Sequence, residues 1–219
     1  MLLYHFLSSE WAIEDLRERR LKIARLNDLN DPFELLGYEQ TTPAHREAFR
    51  KSKAYMADNY GLLCFSRDWT DPVLWSHYAD KHRGMCLGFD VAEQLLLPVA
   101  YETERPPFPP ELTEEFAKPL LSTKYKGWGY EKEARVFLRL DPLEERDGLF
   151  YAGFSSRVKL KQVIVGPLCN KRAELLPIIK PYGGAIEVIK ARLAFRSFAV
   201  VADQRGFWGR HATMKRKQK

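Results

Sequence analysis

The chain has 219 residues, of which 45% are hydrophobic and 13% aromatic. That is enough apolar material for a full core and excludes an intrinsically disordered polymer. The net charge is +6, but residues 205–219 carry six Lys or Arg and no acid, which leaves 29 basic against 29 acidic residues in 1–204. The expected organisation is one globular domain over residues 1–204 and a flexible basic tail over 205–219. A folded surface that grips duplex DNA usually carries its own basic patch, and this body is neutral. The tail is expected either to solubilise the chain or to attract nucleic acid non-specifically.

No run approaches the ~20 apolar residues of a membrane span, so no membrane partner is expected. The opening Met1-Leu2-Leu3-Tyr4-His5 has no basic region followed by a long apolar stretch, so no signal peptide is expected. Cys64, Cys86 and Cys169 are far apart and odd in number, with neither metal-knuckle spacing nor a disulfide framework. The expected setting is a reducing cytoplasm.

Tyr4-His5-Phe6-Leu7 reads as a first strand. Ser8 or Ser9 then caps a helix running to about Arg19. Leu21, Ile23 and Leu26 surround Lys22 and Ala24 in a second strand, and a turn-rich loop follows over residues 27–34. Residues 42–59 read as a polar helix, and 61–65 as a buried strand. Asp71-Pro72 predicts a helix start, with the helix running to His82 before Gly84. On it Trp75, Tyr78, Ala79 and His82 would share one face. A strand follows at 85–89. The four prolines of residues 105–110 form a loop or lid. Further strands are expected at 135–138, 149–154, 160–165 and 186–191, and a helix at 171–180 shortened or kinked by Pro177. Strands dominate and no βα repeat persists. The predicted class is α+β, with a mixed, mostly antiparallel split sheet and flanking helices.

The most informative segment is Gly129-Tyr130-Glu131-Lys132-Glu133-Ala134-Arg135. On a strand, Glu131, Glu133 and Arg135 point to one face. Two carboxylates beside a cation can divide the roles of binding a hydroxyl and stabilising a developing cation. They can equally form an ion-paired solvent face with Lys132 opposite. Trp128 and Tyr130 offer rings for stacking, and Gly127 and Gly129 permit close backbone approach. Tyr78 offers another aromatic plane, or with Trp75 and Ala79 simply core. His5 lies between apolar neighbours on a strand and reads as a structural histidine or as a donor to a ribose hydroxyl. His77 and His82 are five apart and make a poor metal pair.

Leu3-Tyr4-His5-Phe6, Asn30-Asp31-Pro32-Phe33-Glu34, Trp75-Ser76-His77-Tyr78-Ala79 with Gly84, and Tyr130-Glu131-Lys132-Glu133-Ala134-Arg135 occur in this order. Together they resemble the bacterial family called domain of unknown function 2971, over residues 3–165. That resemblance implies a bacterial cytoplasmic protein and no particular activity. The layout is also similar to ADP-ribosyltransferases of the His-Tyr-Glu kind. That similarity implies a split, strand-rich core and NAD as co-substrate, with no metal. By position it assigns His5 to the ribose, Tyr78 to nicotinamide stacking, Glu133 to catalysis and Glu131 to the acidic position two before it. Trp75, Tyr130 and Arg135 complete the expected cofactor-binding set.

Three functions follow as expectations. The first is an NAD-consuming enzyme that transfers ADP-ribose to a macromolecule or to water. The second is a non-catalytic binding module whose aromatic motifs are core. The third is a metal-dependent nuclease or phosphodiesterase using Asp31, Glu34, Glu131 and Glu133 as Mg²⁺ ligands with Lys132 nearby. P-loop, nucleophile-elbow and His-Glu-x-x-His motifs are absent from the sequence.

Overall fold

The computed structural model describes residues 1–108 and 119–204. The expected tail at 205–219, and Pro109 and Pro110 of the proline loop, lie outside the described residues. Helices are α1 (Ser9–Glu18), α2 (Pro43–Asn59), α3 (Pro72–Tyr78) and α4 (Arg172–Ile179). The first strands are β1 (Leu2–Leu7), β2 (Arg20–Lys22), β3 (Ala24–Arg25), β4 (Tyr60–Ser66) and β5 (Met85–Val91). Then come β6 (Leu97–Pro98), β7 (Ala100–Glu102), β8 (Thr123–Tyr125), β9 (Glu133–Arg139) and β10 (Glu144–Arg146). The last are β11 (Leu149–Gly153), β12 (Val158–Val165), β13 (Glu187–Leu193) and β14 (Val200–Ala202). The α+β class is as expected, with mostly antiparallel pairing. No helix among the described residues is long and apolar enough to cross a membrane.

The chain forms two compact units, each assembled from separated segments. The first comprises Met1–Leu21, Phe65–Glu93 and the described residues from Gly153 to Gln204. Its sheet runs β14-β13-β12-β5-β1, antiparallel except for the β12–β13 pair. Strand β5 is central and buried on both faces, which explains its near-continuous apolar run Met-Cys-Leu-Gly-Phe. The second unit comprises Lys22–Cys64 and Gln94–Ala152. Here β3 pairs with β4, β9 lies beside β4, and β6 pairs with β9. Strands β7 and β8 form a separate parallel pair. The apolar core of this unit gathers Leu26, Leu35, Tyr38, Phe49, Ala57, Leu62 and Leu120.

Helix starts follow their caps. Ser8 accepts from the Trp11 amide, Thr42 from His45 and Asp71 from Val73, each satisfying an amide that the helix leaves unpaired. Two expectations are corrected. The second strand is interrupted, because Ile23 leaves the ladder between β2 and β3 and donates to the Phe150 carbonyl at 2.8 Å. Helix α3 ends at Tyr78 rather than His82. Asp80, Lys81 and His82 adopt left-handed φ values of 43°, 52° and 69°, which a right-handed helix cannot contain. The turn is closed by amides of His82 and Gly84 donating to the carbonyls of Trp75 and Ala79. Trp75 and Ala79 therefore face the core, whereas His82 is carried off the helix.

Gly84 shows why this turn needs a glycine. A Cβ there would overlap the Leu7 carbonyl oxygen and the Ala79 backbone, neither of which can rotate aside. Gly84→Ala is expected to cost about 1–3 kcal/mol through overpacking. Gly153→Ala, where a Cβ meets open space, should change stability by less than about 0.5 kcal/mol. Paired urea denaturation curves check both; equal losses would overturn the packing argument.

Candidate functional site

The second unit buries a cluster of charges. Glu34, Lys124, Glu131, Glu133 and Arg135 are each 1–6% exposed. Strand β9 supplies Glu133 and Arg135, two residues apart and so on one face. Glu131 reaches the same cluster by another route. It ends a 3₁₀ turn spanning Lys126–Glu131, and Lys132 at φ 46° reverses the backbone before β9 begins. The shared strand face conditional on Glu131 lying in the strand therefore holds for Glu133 and Arg135 only. The solvent-face reading is corrected, since Glu131, Glu133 and Arg135 are buried.

Arg135 is the hub. Its Nε donates to Glu133 Oε1 at 2.7 Å and its Nη2 to Glu133 Oε2 at 3.0 Å. The guanidinium also forks onto Glu34, with Nη1 donating to Oε2 at 2.8 Å and Nη2 to Oε1 at 2.5 Å. A further Nη1 bond goes to the Leu121 carbonyl at 3.1 Å. Lys124, on β8, donates to Glu131 Oε2 at 2.6 Å and Glu133 Oε2 at 3.3 Å, and lies 3.6 Å from Glu34 Oε1. Its ammonium is 4.9 Å from the centre of the Trp128 ring. The Glu133 amide donates to the Tyr101 hydroxyl at 2.8 Å.

Burial and charge compete at each group. Burial is the largest influence on Glu133 and pushes its carboxyl up. The Arg135 guanidinium, Lys124 and the Cys64 thiol together outweigh it and hold the carboxyl below its ordinary 4.5. Burial likewise disfavours charged Lys124, but Glu133, Glu131 and Glu34 raise its pKa above the usual lysine value. Tyr101 is pushed up to about 12, first by burial. Burial, then the Glu133 charge, raises the Cys64 thiol well above its ordinary value, so it is not a ready nucleophile.

Glu34 comes from the Asn30-Asp31-Pro32-Phe33-Glu34 segment. Asp31 Oδ1 accepts from the Phe33 amide at 2.9 Å and the Glu34 amide donates to the Asp31 carbonyl at 3.1 Å, a local turn that sends Glu34 inward. The same turn leaves Phe33 55% exposed. Phe33 lines a pocket of about 190 Å³ with Leu36, Gly37, Arg105, Lys124 and Tyr125. The Tyr125 ring is 58% exposed, and Arg105 stacks 4.9 Å from the Phe33 ring centre. At Gly37 a Cβ would stand 2.7 Å from the Pro119 carbonyl, so glycine permits a close approach of backbone at this wall. The pocket therefore has two exposed rings on its wall, with the Lys124 ammonium, the Arg105 guanidinium and the exposed Glu102 and Glu104 in its lining.

Of the site residues expected from sequence, Glu131, Glu133 and Arg135 are brought together. Tyr130 lies close by in the chain, its ring 6.1 Å from that of Trp128. His5, Trp75 and Tyr78 belong to the first unit. His5 is half-buried on β1 beside Phe65 at 5.7 Å. Trp75 is fully buried, donates Nε1 to the Trp69 carbonyl at 2.6 Å and meets Phe6 edge-on at 5.3 Å. Tyr78 is the half-buried last residue of α3. Among the described residues no group of three or more His, Cys, Asp or Glu is placed to hold a metal ion. Glu34, Glu131 and Glu133 instead face Lys124 and Arg135.

Sequence reading missed Lys124, Tyr101 and the pairing of Glu34 with Arg135 across 101 positions. Comparison with protein-family models, curated proteins and solved structures finds no significant match.

Arg135→Met removes the hub and is expected to destabilise the protein by about 3–5 kcal/mol at neutral pH, because it strands buried carboxylates. The pH dependence has a definite sign. Glu133 sits below 4.5 in the folded protein, so its stabilising contribution is complete above that value and fades as pH falls through its lower folded value. In Arg135→Met the carboxyl loses its strongest counter-charge and burial raises it, so acidification relieves part of the defect. The gap between variant and wild type should narrow between about pH 7 and pH 4 in urea titrations. Glu34→Gln, which leaves Arg135 on Glu133, provides a milder variant should Arg135→Met not fold. A pH-independent gap in both would sink the assignment.

Proposed function

We propose that the second unit binds a planar heteroaromatic ligand, with NAD as the ligand of choice. The carrying observation is the pocket: two exposed rings, Phe33 and Tyr125, with the Lys124 ammonium alongside. Its volume of about 190 Å³ is below the ~300–1,000 Å³ of sites that enclose a whole drug-sized molecule. It accommodates one ring system and leaves the rest of a dinucleotide outside. Aromatic stacking recognises such a ring by its face. The layout similarity to His-Tyr-Glu ADP-ribosyltransferases supports NAD as the first choice.

A catalytic reading rests on the same residues. Cleaving the nicotinamide–ribose bond develops positive charge on the ribose, and a fixed carboxylate stabilises it. Glu133 has the chemistry for that role. Both its oxygens are already engaged, however, Oε1 by Arg135 and Oε2 by Arg135 and Lys124. As an NAD-consuming enzyme the protein would have to exchange one of these partners for a ribose hydroxyl. Binding without cleavage needs no such exchange and is the reading the geometry supports best. Transfer of ADP-ribose to a macromolecule or to water is the second reading.

Calorimetry with NAD⁺ and with nicotinamide tests the proposal. Binding is expected, with Phe33→Ala or Tyr125→Ala weakening it about tenfold, the scale of one lost stacking contact. Both rings are exposed, so neither variant should lower the melting temperature. Absence of binding to either compound would overturn the reading. Nicotinamide release by wild type that vanishes in folded Glu133→Gln would select the catalytic form.

A further inference from the structure

The first unit ends its described sheet in a hairpin whose chemistry the pocket does not use. Strands β13 and β14 pair antiparallel, with Leu193 opposite Val200. The Ala194 amide donates to the Ala199 carbonyl at 2.9 Å, closing a four-residue tip, Phe195-Arg196-Ser197-Phe198. The base is fixed: the Val200 amide donates to the Thr70 carbonyl at 2.8 Å, and Val200 is fully buried. The tip is the opposite. Phe195 is 76% and Phe198 101% exposed, the two most exposed large apolar side chains among the described residues.

Two exposed phenylalanines on a rigid hairpin are unfavourable in water unless a partner covers them. The surrounding charge identifies the partner. Arg192 places its guanidinium 4.3 Å from the Phe195 ring centre, and Arg196, between the two phenylalanines in the chain, is exposed. The groove at the tip is lined by Arg192, Phe195, Arg196, Ser197 and Gln204, with no acidic side chain in its lining. The sequence that follows, 205–219, adds six Lys or Arg and no acid. An apolar peptide partner would gain nothing from this charge, and a duplex buries its base faces. A single strand offers both phosphates and open base faces.

We propose that the hairpin tip at residues 195–198 is a binding site for single-stranded nucleic acid, with Phe195 and Phe198 stacking on bases and Arg192 and Arg196 contacting phosphates. Stacking platforms of this kind read no particular sequence, because every base has a π-face. Arg192, already packed on Phe195, is held for a phosphate beside a stacked base.

The test is fluorescence anisotropy of the full chain with a labelled oligothymidine of about 20 nucleotides, with a duplex of equal length as comparison. Preference for the single strand is expected, with Phe195→Ala/Phe198→Ala weakening it tenfold or more, the scale of two lost stacking contacts. Arg192→Gln/Arg196→Gln should lower the slope of log affinity against log salt. All four side chains are at least partly exposed, and an unchanged melting temperature verifies folding. Equal binding of duplex and single strand, unaffected by the phenylalanine variant, would overturn the proposal and leave only attraction by the basic tail. Binding to phosphatidylserine vesicles that the phenylalanine variant abolishes, without effect on oligothymidine, would overturn it in favour of a membrane surface.

Discussion

Five charged side chains buried together constrain the second unit more than any apolar contact does. An isolated buried ion costs several kcal/mol, so Arg135 cannot be where it is without Glu133 and Glu34, nor Lys124 without Glu131 and Glu133. The bonds are redundant in a useful way. Glu133 is held by both cations, and Arg135 by two carboxylates and the Leu121 carbonyl. Each side chain is ordered by partners that are themselves ordered. The cluster ties the turn at residue 34, strand β8 and the start of β9 into one arrangement, and the pocket inherits that rigidity through Lys124.

The backbone contributes as much as the charges. Left-handed Lys132 lets two acids separated by a single residue approach the same cation from different elements, one from a 3₁₀ turn and one from a strand. On an unbroken strand both would point the same way without converging on Lys124 from two sides. Tyr101 then receives the Glu133 amide through its hydroxyl, pairing a donor where the Val99 amide takes the Glu133 carbonyl. The segment from 130 to 135 is therefore constrained in backbone and side chain together, which is what a preorganised site requires.

Much of this was legible in the sequence, for identifiable reasons. Capping residues and Asp71-Pro72 fixed the helix starts, because unpaired amides at a helix end demand such partners. The grouping of Glu133 with Arg135 followed from the two-residue period of a strand. What failed was what local pattern does not encode. The left-handed run at 80–82 is a response to packing around Gly84, not a propensity of Asp, Lys and His. The burial of the charges depended on Glu34 and Lys124, 101 and 11 positions from Arg135, and no local rule relates them. A stretch rich in Glu, Lys and Arg reads as solvated until its distant partners are known.

The inward and outward cations of this chain have separate employment. Lys124 and Arg135 are committed to carboxylates, so the second unit presents little free positive charge for a polyanion at this site. Arg192 is half-buried against the Phe195 ring and Arg196 is exposed instead. Positive charge behind the pocket is balanced by buried carboxylates, whereas the groove at the hairpin tip has no acidic side chain in its lining. Net charge alone would have merged the two. Placing each cation beside its nearest carboxylate or ring separates cations committed to buried ion pairs from those left at an exposed aromatic surface.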